Sequence, residues 1–144
     1  MTNTGFDVFD RTVQKSGLWL KEVNDAMGRD DIHKAYQALR AVLHTLRDRL
    51  TVNEAAALGA QLPLLIRGMY YEGFKPAQMP VKIRKKDDFI AHVMELIQPV
   101  PDLPPNEAIE AVMTVLQKRV TDGEIQDIQK MMPEELQSVW PHSE

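Results

Sequence analysis

The sequence predicts an all-α protein, two related helical-hairpin halves packed into a single helical bundle. Three observations point there. Apolar residues recur at spacings of three and four over most of the chain. A threonine followed three residues later by glutamate occurs twice, as Thr51/Glu54 and Thr121/Glu124. The stretch Leu39 to Tyr70, moved by seventy positions, falls without a gap on Ile109 to Trp140, with seven of 32 positions identical.

The first helix is expected from about Asp7 to Met27, with the stripe Phe6, Phe9, Val13, Leu20, Val23, Met27 and Gly28 as its stop. Ser16 and Gly17 at its middle suit a kink or a close approach, and Trp19 falls at the stripe's edge. Asp30 or Asp31 caps the second helix, whose core face reads Ile32, Tyr36, Leu39, Leu43, Leu46, Leu50, with Arg40, Arg47 and Asp48 opposite. Thr51 and Glu54 then form a capping box flanked by Leu50 and Ala55 as a staple. Nine residues after the glutamate Pro63 opens a further short helix, and Pro133 does so in the second copy. From Glu72 to Asp88 the periodicity lapses into a basic connector. Asp87 or Asp88 caps the next helix, which ends at Pro99. Pro101, Pro104 and Pro105 make a stiff joint before Asn106 and Glu107. The repeat is read as incomplete at that helix, which is much shorter than the first. The division is therefore 1–71, a connector 72–88, and 89–144, within one compact domain of 144 residues.

Composition excludes several function classes. The absence of cysteine removes disulfides, thiolate ligands and cysteine nucleophiles. No signal peptide or membrane span is visible, so the chain reads as cytoplasmic with no membrane partner. His33 and His44 stand eleven residues apart on one helix, too far along its axis to share a metal. His92, near Asp88 and Glu95, is a helix-surface histidine, and His142 lies in the tail. Neither the histidines nor Ser16, Ser138 and Ser143 have the spacing of a metal or nucleophile motif, and no glycine-rich loop is present. No catalytic residue, metal or cofactor is assigned, and the reading leans away from an enzyme.

Charge is uneven. Residues 1–71 carry nine Lys/Arg against eight Asp/Glu, 72–88 five against three, and 89–144 three against ten. Tyr71, Phe74, Lys82, Arg84, Lys85 and Lys86 combine aromatics with cations, the mixture that single-stranded nucleic acid prefers. An isoelectric point of 5.6 and the acidic second half weigh against that partner. Arg49 and Arg119 share one place in both copies, which suits a cation at a helix C-terminus that also reaches a carboxylate.

The two copies differ on one face. Where the second has Gln126, Asp127, Gln129, Lys130, Glu134 and Glu135, the first has Ala56, Ala57, Gly59, Ala60, Leu64 and Leu65. If the polar copy shows what water requires, the apolar face is covered. The candidates, in order, are the chain's own first helix or connector, a second copy in a homodimer, and a small apolar ligand between helices. The functional expectation is a non-enzymatic protein-interaction or structural module acting through that face; nucleic-acid binding by the connector and small-ligand binding are the alternatives.

The run ALRAVLHTLRDRLTVNEAAALGAQLPLLIRGMYYEGFKP, Ala38 to Pro76, resembles the signature segment of a bacterial family, domain of unknown function 2267. The resemblance extends from Phe6 to Trp140, with Phe74 where the family commonly has tryptophan. It implies a small all-helical bacterial cytoplasmic protein and brings no activity or site residue with it.

Overall fold

A computed structural model describes residues 4–97 and 102–141, so Pro99, Pro101 and His142 lie outside the described residues. Its elements are α1 (Asp7–Ala26), α2 (Ile32–Arg49), α3 (Val52–Gly59), α4 (Leu64–Tyr70), a 3-10 turn (Pro76–Gln78), α5 (Lys86–Ile97), α6 (Pro105–Arg119), α7 (Asp122–Met131) and a 3-10 helix (Glu134–Val139). The described residues form an all-α bundle without strands. None of their helices is long and apolar enough to cross a membrane.

Local chemistry sets the boundaries. The Asp31 carboxylate accepts from the His33 and Lys34 amides at 3.1 and 3.2 Å, and so caps α2. Thr51 and Thr121 accept from Glu54 N and Glu124 N at 3.2 and 3.3 Å. Pro63 and Pro133 are both N-caps, although the helix that each opens is an α-helix in the first half and a 3-10 helix in the second. Asp87 and Asp88 are not caps, because α5 already begins at Lys86; they lie in its first turn, where a carboxylate still opposes the helix dipole.

The packing pairs exchange under the seventy-residue offset. α1 packs on α2, α4 and α6; α5 packs on α6, the second 3-10 helix and α2; α2 meets α6, and α3 meets α7. The helix α5, read from sequence as a truncated element at which the repeat is incomplete, buries Phe89, Val93 and Ile97, seventy positions from the buried Trp19 and Val23 of α1 and from Met27, which caps its end. Trp19 therefore belongs to the core face, whereas Phe6 and Phe9, at the other end of the stripe, are exposed and touch each other edge to face at 5.0 Å. What α1 has and α5 lacks is its N-terminal half, from Asp7 to Lys15.

α2 is the central helix and not a half-buried one. Every residue from Ala41 to Arg47 is buried, and the small side chains of Ala35, Ala38 and Ala41 let neighbours approach closely. Ile32 and Tyr36, assigned to the core from periodicity, are exposed instead. Arg47, expected in water, is buried and directed to acceptors within the fold. It donates to Tyr70 O at 2.6 Å, Glu72 O at 2.7 Å and the Asp48 carboxylate at 2.8 Å, and lies 5.7 Å from the centre of the Phe74 ring.

Candidate interaction groove

The cover expected over the first hairpin is absent among the described residues. Ala56, Ala57, Ala60, Leu64 and Leu65 are all exposed, the two leucines at 52% and 53%. Only Gly59 is closely overlaid: a Cβ built there would stand 2.6 Å from the Tyr71 hydroxyl. α1 packs along α4 and leaves these side chains of α3 and α4 exposed.

The connector residues are divided. Tyr71 and Phe74 are half-buried in an edge-to-face chain with Tyr70, at 5.0 and 5.3 Å, so their rings are engaged with the core. Lys82, Arg84, Lys85 and Lys86 are exposed, and Ile83 between them is buried. Arg49 anchors this segment by donating to Ile83 O at 2.6 Å, and Val81 N donates to Asp48 O at 2.7 Å. Arg49 thus bonds backbone carbonyls, whereas Arg119 reaches a carboxylate, Glu22, at 2.7 Å.

His44 is buried with Nε2 donating to Met69 O at 2.8 Å, and burial pushes its basicity down. His92 is exposed. No cluster of three or more metal-ligating side chains occurs among the described residues.

What the packing creates is a groove of about 640 Å³ between the N-terminal half of α1 and the start of α4. Val8, Leu18, Trp19, Leu62, Pro63 and Leu64 supply its apolar wall; Arg11, Lys15, Arg67 and Arg119 supply four cations, and among the described residues no carboxylate lines it. Asp7 pairs with Arg11 at 2.7 Å, and Glu22 with Arg119, which with Lys118 holds the Glu22 carboxyl down at about 2. Arg67 spends its guanidinium on carbonyls, Gly59 O at 2.9 Å and Leu62 O at 3.0 Å, so it and Lys15 have no carboxylate partner among the described residues.

Of the interaction candidates read from sequence, Leu64 alone lines this groove. Val8, Leu18, Lys15 and Arg67 were missed. The available signal was the surplus length of α1, together with arginine at 67 where the second half has Gln137. Gln137 performs the same capping, on Gln129 O at 2.8 Å, without charge.

No curated protein matches the chain. A family model described as an uncharacterized conserved protein (DUF2267) matches residues 17–139, which spans the bundle from the middle of α1 to the second 3-10 helix, and the chain belongs to that family.

Proposed function

We propose that the protein is a non-enzymatic interaction module that receives an acidic amphipathic helix of a partner protein in the groove between α1 and α4. The observation that carries this reading is an apolar wall rimmed by cations, two of them without a carboxylate among the described residues, and continuous with the exposed leucines of α4. Apolar side chains supply most of the affinity at such a surface, and the charges set partner choice and rate. A second copy docked face to face would set Lys15 and Arg67 against the same two unpaired cations, which favours a partner of opposite charge over a symmetric dimer. The same reading treats the two halves as a repeat related by an approximate two-fold exchange, supported by the paired packing described above. The N-terminal half of α1 is then the feature added to one half only.

Two synthetic amphipathic peptides with one leucine face, flanked by glutamates in one and lysines in the other, test the reading by titration calorimetry. The glutamate peptide is expected to bind in the micromolar range, more weakly at high salt, and not to Lys15→Glu or Leu64→Glu protein. Equal binding of both peptides, or of neither, overturns it. A concentration-dependent doubling of mass in light scattering points instead to a second copy.

A further inference from the structure

The capping glutamates do not complete their boxes. In a capping box the glutamate turns back to the amide of its own threonine, but Thr121 N donates instead to Gln61 Oε1, at 2.9 Å, across the contact between α3 and α7. Glu54 and Glu124 are 8% and 9% exposed, and Oε2 of each is buried without a hydrogen-bond partner. Both glutamates lie on helices that pack on each other, α3 and α7, and the Glu54 carboxyl bears directly on that of Glu124. Two ionised carboxylates there would have no donor between them; one proton supplies the donor and removes the repulsion.

We propose that Glu54 and Glu124 form a one-proton latch between α3 and α7, in which a shared proton holds the two helices together and its loss drives them apart. Among the described residues no cation takes the proton's place. The charges acting on Glu124 are the carboxylates of Glu54 and Asp127, both of the same sign. Arg49, at the end of α2, is directed to the carbonyls of Ile83 and Met131. Tyr70, from α4, donates its hydroxyl to Ala55 O at 2.6 Å and stays neutral, since burial pushes its ionisation far up. Burial first, and then the Glu54 carboxyl, push Glu124 up to about 8 from 4.5.

The folded pair therefore keeps a proton that the unfolded chain releases between pH 4.5 and about 8. In that window the latch raises the unfolding constant by up to about tenfold per pH unit, and stability falls as pH rises. In Glu124→Gln the amide donates to Glu54 without a titrating proton. The ratio of wild-type to variant unfolding constants, in which His44 and all other shared groups cancel, is expected to climb about tenfold per unit from pH 6 to 8. Glu54→Gln gives the same result should Glu124→Gln fold poorly. In the wild type, amide exchange corrected for intrinsic rates is expected to accelerate in α3 and α7 as pH rises from 6 to 8 and to level off above 8. A ratio independent of pH, or unchanged protection of α3 and α7 from pH 7 to 9, overturns the latch.

Discussion

Residues 51–70 and 121–140 are two solutions to one set of contacts. Thr51, Val52 and Asn53 are exposed, as are Thr121, Asp122 and Gly123; Glu54, Ala55 and Leu58 are buried, as are Glu124, Ile125 and Ile128; Leu64 and Leu65 are exposed, as are Glu134 and Glu135. Exposure at each position is set by helix phase and by where the neighbouring helix lies, and it is nearly the same in both stretches. Side-chain polarity is not. A charged residue at one position thus carries no implication that an apolar residue at its counterpart is covered, and the inference of a cover within the chain fails for that reason. The difference that remains is chemical: one half offers leucine and arginine to solvent where the other offers glutamate and glutamine.

Replacing equivalent side chains one half at a time separates what the shared geometry requires from what each half has added. The largest asymmetry is expected at Arg47 and Gln117. Arg47→Met leaves the carbonyls of Tyr70 and Glu72 without their buried donor and should cost about 3 kcal/mol. Gln117, half-buried with one 3.3 Å bond to Pro141 O, should cost about 1 kcal/mol or less as Gln117→Met. Urea unfolding of both variants measures the gap, and equal losses would show that the buried guanidinium has no special part in holding α4.

Next comes Gly59, paired with Gln129. Gly59→Ala puts a methyl 2.6 Å from the Tyr71 hydroxyl and 3.0 Å from Tyr70 Cε2. The clash is expected to outweigh the gain in helix propensity and to cost about 1–3 kcal/mol, against about 0.5 or less for Gln129→Ala. Tyr71→Phe in the Gly59→Ala background should recover part of the loss, because it removes the nearest atom. No recovery would mean that the Tyr70 ring sets the limit.

The ion pair between α1 and α6 is smaller and depends on pH. Hydrogen bonds from Arg119 and Lys118 hold the Glu22 carboxyl at about 2 in the folded state, below the ordinary 4.5. A depressed carboxyl contributes fully above pH 4.5 and loses its contribution as pH falls towards 2. Allowing for solvent screening, Glu22→Gln is expected to lose about 1–2 kcal/mol at pH 7 and almost nothing at pH 2. His92, at the matching place on α5 and exposed, should be replaceable by glutamine within about 0.5 kcal/mol.

Most of the helices were legible in the sequence because their signals are local. The caps Asp31, Thr51 and Thr121 act within three residues, and the bounds of α1 follow from a single stripe and a glycine. The relation of α5 to α1 was faint in the sequence, since only Val23/Val93 is identical, while Trp19/Phe89, Leu20/Ile90 and Met27/Ile97 share burial without identity. Arg47 looked like a surface residue because its two carbonyl acceptors lie more than twenty residues away and are in place only once α4 has docked. The groove was hidden for the same reason: Val8 and Leu18 belong to a different element from Leu64 and Arg67, and only packing makes their chemistry continuous.

The smallest expected change in stability bears most directly on function. Leu64→Glu and Leu65→Glu give the first half the residues already present as Glu134 and Glu135, at positions exposed in both halves. Water already reaches the two leucines, and carboxylates in the first turn of α4 oppose its dipole favourably. The double variant should therefore unfold within about 0.5 kcal/mol of the wild type. Its groove, with a carboxylate beside Lys15 and Arg67, should no longer take a glutamate-flanked helix. A loss of about 2 kcal/mol or more in the isolated chain would mean that the leucines are packed against something after all, and the exposed face on which the docking proposal rests would not exist. Unchanged stability with lost peptide binding separates scaffold from recognition: residues 51–70 and 121–140 share their pattern of exposure, and only the first carries the leucines that the peptide needs.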